Sequence, residues 1–191
     1  MRCSNVTKTE KYVNMADIIS AQDFSGNRLN EQETIALIEL LFFAYRDFVS
    51  DPDEILGQFD FGRAHHRVVH FVGRDPGMTV QQLLDILRIT KQSLGRVLKE
   101  LIDKGYVFQK EGEADRRQRL VYLTEKGEEL RQRLMRPQIN RIRRAISQSG
   151  EDTSELYRKL LYNMVSPENR ESVKDWIARV NAADEEQAQR G

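Results

Sequence analysis

A chain of 191 residues, 31% of them charged and 39% hydrophobic, can bury one core of ordinary size and is too polar to be embedded in a membrane. Its 30 basic and 30 acidic residues cancel, so overall charge alone argues against a nucleic-acid partner. No apolar run approaches the roughly 20 residues that cross a bilayer, no leader pattern opens the chain, and the single cysteine, Cys3, leaves no internal disulfide and no Cys-based metal centre; a cytoplasmic protein without cofactor is expected.

Charge is unevenly spread, however. Arg88 to Arg144 is basic, with a dense set at Arg131, Arg133, Arg136, Arg141, Arg143 and Arg144. The stretch holding Glu31, Glu33, Glu39, Asp47, Asp51, Asp53 and Glu54 is acidic, and so is the chain from Glu151. A neutral protein built this way can carry a local positive surface.

In chain order, residues 1–29 are polar and aperiodic and are expected to form a mobile arm. Asn30 to Glu33 is spaced as a capping box that opens a helix. Ile35 to Tyr45 is apolar nearly all round, which demands cover on more than one side. A second subunit would supply it through Ile35, Ile38, Leu41, Phe42 and Tyr45; burial within the chain is the plainer alternative. Pro52 should end this helix near Ser50-Asp51.

Gly62 to Gly73 reads as a helix with Ala64, Val68, Phe71 and Val72 inward. His66 and His70 lie four apart, as a helical metal pair would, but no third ligand is evident locally, and surface or cap roles fit better. His65, nearer the apolar side, reads as packed and hydrogen-bonded. Asp75-Pro76-Gly77 is a turn, and Thr79 to Gln82 a second capping box for a short helix to Leu87, with Val80, Leu83, Leu84 and Leu87 inward.

After the linker Arg88-Ile89 comes TKQSLGRVLKELIDKG, Thr90 to Gly105. Leu94, Val97, Leu98, Leu101 and Ile102 form one helical face. Lys91, Gln92, Gly95, Arg96 and Lys99 form the other, offering donors to phosphates and base edges around a gap that admits a backbone. Taken alone, this is an ordinary amphipathic helix with a solvated basic face. Placed directly after a short capped helix, it completes a helix-turn-helix.

Tyr106 to Gln109 and Leu120 to Leu123 are strand-like, and the basic loop Lys110 to Arg119 between them makes a projecting hairpin, a wing whose guanidinium suits a narrow minor groove. Asp115 should hold an arginine there by a bidentate pair. A long helix from Thr124 to about Ser149-Gly150 carries Leu130, Leu134, Ile142 and Ile146 on its apolar side, and Pro137 should bend or break it. Its arginines are expected to be mostly solvated, some pairing with the acidic first helix of a partner. Asp152 to Val165 is a further helix with Leu156, Leu160, Leu161 and Met164 as its stripe. Ser166-Pro167-Glu168 restarts a last helix, striped by Val173, Trp176, Ile177 and Val180, before a polar tail from Ala182.

This order of elements, together with TKQSLGRVLKELIDKGYV and DRRQRLVYLTEKG, resembles the MarR family of bacterial transcriptional regulators over about residues 30–161. Asp115-x-Arg117 followed by Leu123-Thr124-Glu125-Lys126-Gly127 is similar to that family's wing and the start of its long dimerisation helix; HHRVVHF and TKQSL are similar to its PetP-like branch. The resemblance implies an obligate homodimer built by first and last helices; the arm and the last helix after Ser166 lie outside the family's usual core, and Leu156, Leu160, Trp176 and Ile177 are the C-terminal residues expected to join the apolar first-helix residues in the dimer. It implies that double-stranded DNA is read as an inverted repeat, with Gln92, Ser93, Gly95 and Arg96 facing the major groove, Arg117 at the wing tip and Asp115 as its anchor. Gly95 departs from the hydroxyl residue common there. Thr79, Lys91, Lys99 and Arg116 complete the expected DNA-contact set. A small-molecule effector is among the partners the family admits, and nothing in the sequence identifies one.

The expected fold is thus mostly α with a small β-hairpin wing: an arm (1–29), a dimerisation helix (30–57), a winged helix-turn-helix (58–124), then C-terminal dimerisation helices and tail (125–191). The expected activity is sequence-specific repression by a dimer. A winged-helix module for protein contacts is the competing reading. Glycine-rich phosphate loops, HExxH pairs and nucleophile motifs are absent, which speaks against an enzyme.

Overall fold

The computed structural model describes residues 29–113 and 115–190. The expected arm up to residue 28, with Cys3, lies outside them. The chain divides at Phe43 into two units.

The first unit holds the start of helix α1 (Glu31–Gly57). Its capping box forms as the spacing predicts: Asn30 Oδ1 accepts the Glu33 N–H at 2.9 Å, and Glu33 Oε2 accepts the Asn30 N–H at 2.7 Å. Ile35, Ile38, Leu41 and Phe42 are all exposed.

The second unit holds the rest of α1, then α2 (Arg63–Arg74), β1 (Met78–Thr79), α3 (Val80–Leu87), α4 (Lys91–Asp103), β2 (Val107–Glu111) and β3 (Arg119–Leu123). It continues with α5 (Glu125–Ser149), α6 (Thr153–Met164), a 3-10 turn (Pro167–Asn169) and α7 (Arg170–Arg190). The strands form one antiparallel sheet in the order β1-β3-β2, with Val107 opposite Leu123 and Glu111 opposite Arg119. Sequence reasoning missed β1, whose two residues pair Met78 with Val121 and Thr79 with Leu120; so short a strand has no period to detect. One core joins Leu56, Val68, Val72, Leu83, Leu94, Leu98, Leu101, Val121, Leu130 and Leu134. Ile102 does not join it and is exposed.

Two prolines behave otherwise than their local chemistry suggests. Helix α1 continues through a fully buried Pro52 to Gly57. Proline donates no N–H to the carbonyl four residues back, and here buried Gln138 Nε2 donates to that carbonyl, Phe48 O, at 3.2 Å. The helical partner is replaced from another helix, so the break costs less. Helix α5 likewise runs unbroken past Pro137, held by Leu130, Leu134 and Gln138, buried on either side of it. Some of its arginines bind within the chain, Arg141 gripping Asp51 at 2.9 Å and Arg133 donating to Gln58 Oε1 at 3.1 Å, while Arg136, Arg143 and Arg144 are exposed. The polar tail is helical too, because Asn181 and Asp184 of α7 take up Arg74 of α2.

The histidines divide by environment. His65 is buried at the start of α2, where its Nδ1 accepts the Gly62 N–H at 3.1 Å. Its Nε2 is then the protonated nitrogen and donates to Glu100 Oε2 at 2.9 Å, tying α2 to α4. His66 and His70 are half-buried rather than superficial. Burial lowers the pKa of His66, and burial together with the neighbouring His66, Arg131 and Arg74 pushes His70 down to about 4. Among the described residues, no group of three His, Cys, Asp or Glu side chains could hold a metal ion.

Gly127, in the first turn of α5, is set by close approach. A Cβ there would lie 2.1 Å from the Tyr106 carbonyl oxygen and 3.3 Å from Leu123 Cβ. Gly127→Ala should therefore cost about 1–3 kcal/mol of stability through overpacking, read as a lower urea midpoint; an unchanged midpoint contradicts this packing. His70 gives a pH signature. Its folded-state pKa lies below the ordinary 6.5, so the unfolded chain takes up a proton first as pH falls, and stability is lost from about pH 6.5 towards pH 4. The loss between about pH 7.5 and pH 5 should be roughly 2 kcal/mol, and His70→Leu should remove most of it. A variant with the wild-type pH slope in urea unfolding would place that loss elsewhere.

Candidate nucleic-acid interface

Burial of Leu94, Val97, Leu98 and Leu101 fixes the rotation of α4. That rotation turns Lys91, Gln92, Ser93, Gly95 and Arg96 outward, and all five are exposed. The helix is capped by Thr90, whose Oγ1 accepts the Ser93 N–H at 3.1 Å and donates to Ser93 Oγ at 2.9 Å. A Cβ on Gly95 would meet nothing within 4 Å. Its lack of a side chain is therefore not required by the fold and leaves a shallow gap on the outward face.

The cations differ in how far they are committed. Lys99 is ion-paired to Asp103 one turn on. Lys91 and Arg96 have no carboxylate at ion-pair distance among the described residues. Glu100, which the sequence did not single out, carries the buttress from His65; a partner 35 residues away leaves no local signal.

The wing closes differently from the bidentate pair expected of Asp115. Asp115 Oδ1 accepts the backbone N–H of Arg117 at 2.9 Å, and Gln118 donates its N–H to Asp115 O at 3.0 Å. A short acid suits this turn because it can imitate a backbone carbonyl two residues ahead. The guanidiniums of Arg116 and Arg117 are thereby left exposed and without an acidic partner among the described residues. Below them, Arg119 and Glu111 pair across the strands at 2.8 Å.

Thr79 is committed to the cap of α3. Its Oγ1 accepts the Gln82 N–H at 3.1 Å and donates to Gln82 Oε1 at 3.0 Å. Of the residues expected at the first and last helices, Tyr45, Leu156, Leu160 and Ile177 are exposed, with Leu156 at 63%. Trp176 instead packs within the chain, its ring 5.3 Å from Phe71 of α2.

A short capped helix, an outward cationic helix and a cationic hairpin follow one another on one core, which is the winged helix-turn-helix arrangement. No helix of the described residues is long and apolar enough to cross a membrane. Residues 59–118 match the model of the MarR family. The HTH-type transcriptional regulator PetP of Rhodobacter capsulatus is 46% identical over 142 residues, covering 74% of this chain and 86% of its own. Among solved structures, the fold is similar to Streptococcus pneumoniae FabT in complex with DNA, at 22% identity and a TM-score of 0.62, covering 69% of this chain and 94% of that one. It is also similar to a MarR protein from Peptoclostridium difficile, at 17% identity and a TM-score of 0.60, covering 80% and 97%. The chain belongs to the MarR family of helix-turn-helix transcriptional regulators.

Proposed function

We propose that this regulator binds double-stranded DNA as a homodimer, each copy placing α4 in the major groove of one half of an inverted repeat and its wing in the flanking minor groove. The observation that carries this reading is the set of exposed, unpaired cations Lys91, Arg96, Arg116 and Arg117 on two projecting elements of a chain with no net charge. Arg46, Arg63, Arg74, Arg119, Arg131, Arg141 and Arg179 elsewhere are held by acids, whereas these four cations stand on the two elements that project, where phosphate attraction can position a reading helix. Gln92, Ser93 and Arg96 then supply base-edge donors, and Gly95 admits the DNA backbone or a base edge closely. Bound at a promoter, such a dimer excludes polymerase and acts as a repressor in the cytoplasm; release by a small-molecule effector is compatible with the fold, and no contact described here selects one.

Dimerisation is supported by surface chemistry. Ile35, Ile38, Leu41, Phe42 and Tyr45 leave a run of large apolar side chains exposed on α1, with Phe42 at 68%, and Leu156 and Leu160 do the same on α6. Soluble monomers seldom leave such patches uncovered. Residues 30–57 and α6 thus supply the dimer surface, and residues 58–124 the reading surface.

Arg96→Ala should cost about 1–3 kcal/mol on the cognate duplex and far less on a scrambled one, measured by fluorescence anisotropy at fixed salt. Equal losses on both would remove base reading from Arg96. Phe42→Asp should convert the dimer to a monomer in sedimentation velocity, because association would bury an unpaired charge. A variant that stays dimeric would move the interface off this face of α1.

A further inference from the structure

Helix α7 lies beyond the residues 59–118 that match the family, and it is packed on its own helix-turn-helix. Trp176 rests on Phe71, and Arg74 of α2 reaches Asn181 at 2.6 Å and ion-pairs with Asp184. Two further contacts fall at the two turns that bound α3.

In front of α3, Asp75 caps the end of α2, and its mostly buried carboxylate receives both terminal nitrogens of Arg179 at 2.8 Å each. That is a planar fork-to-fork pair, the most directional ion pair available to a protein. Behind α3, the whole connection to the recognition helix is Arg88-Ile89-Thr90. Arg88 takes the left-handed conformation, φ 50 and ψ 43. Glycine adopts that conformation most readily, and an L side chain there is strained. What the arginine offers in return is reach: its Nη2 donates to Asn169 Oδ1, in the turn that opens α7, at 2.6 Å. Arg88 has no carboxylate at ion-pair distance among the described residues.

We infer that the C-terminal extension brackets α3 at both ends, making Arg179 and Asn169 positioning residues for the recognition helix, which they hold through Asp75 and Arg88. The inference rests on the DNA-reading role of α4 proposed above. A helix-turn-helix reads bases only if α4 meets the groove at a fixed angle. The angle between α3 and α4 is set in the three-residue connection, and the turn that opens α7 ties down one end of it. Loosening the bracket leaves every DNA-facing cation in place, so it degrades the reading of sequence while sparing general attraction to phosphate.

The test uses the full chain and a duplex enriched by the wild type from a random pool, set against a scrambled duplex at two salt concentrations, with melting temperatures recorded alongside. Three variants probe the bracket. Asn169→Ala removes the rear tie, and Arg179→Lys keeps the charge but loses the fork. Arg88→Gly removes the tether while relieving the left-handed backbone. Each should reduce the preference for the enriched duplex about tenfold. Affinity for the scrambled duplex and the salt dependence should hold, and Arg88→Gly should do this without a fall in melting temperature. Preference within about twofold of wild type in all three variants, or a loss that only tracks a lower melting temperature, overturns the bracket. An equal fall on both duplexes in Arg88→Gly makes Arg88 a phosphate contact and overturns its positioning role. A wild type that enriches no duplex overturns the regulator reading itself, which sets that failure apart from a failure of the bracket.

Discussion

The junction between the end of α4 and the start of α5 is the constraint on which the rest of the molecule depends. Thr124 Oγ1 accepts the Gly127 N–H at 3.0 Å and donates to Gly105 O at 2.8 Å, while the Thr124 N–H donates to Tyr106 O at 3.0 Å. Lys126 closes the knot, donating to Lys104 O at 2.9 Å with its ammonium 4.2 Å from the centre of the Tyr106 ring. One threonine thus caps a helix, ties down the helix before it and holds the root of β2. The chain leaves this point as the wing and returns to it as the long helix, so α4, the wing and α5 share an origin. Only glycine at 127 lets the backbones come close enough for the knot to form.

Electrostatic organisation follows a related economy. Several acids are used inside the chain: Asp51 by Arg141, Asp53 by Arg63, Asp75 by Arg179, Glu128 by Arg131 and Asp103 by Lys99. Most of these pairs are partly exposed, so individually each contributes little to stability. Their collective effect is on the field. With these acids held by other cations, Lys91, Arg96, Arg116 and Arg117 have no carboxylate at ion-pair distance among the described residues, and zero net charge conceals a local positive surface.

Much of this was legible in the sequence where the cause was local. The capping boxes at Asn30 and Thr79 rest on side chains three residues apart, and the outward face of α4 follows once Leu94, Val97, Leu98 and Leu101 are assigned inward. Readings failed where the deciding partner was remote. Pro52 looked like a stop because Gln138, which accommodates it, lies 90 residues from Phe48. The tail from Ala182 reads only as polar, because its helix is held by the remote Arg74. Asp115 suggests a charge partner, whereas the backbone N–H of Arg117, two residues on, is the donor it takes. Lys99 is a different lesson, since Asp103 stands four residues away in plain view and the i, i+4 pair could have been read from the sequence.

The borrowed hydrogen bond at Phe48 has a mechanical consequence. A carbonyl freed by proline in one helix and satisfied by a buried amide of another defines a register. Sliding either helix by a residue would carry Gln138 away from Phe48 and leave both groups unpaired in an apolar setting. The second half of α1 and the middle of α5 are therefore keyed like a shaft in its slot. Shear between them is penalised at this bond and at the Arg141–Asp51 pair one turn on, whereas tilting the two helices together leaves both intact.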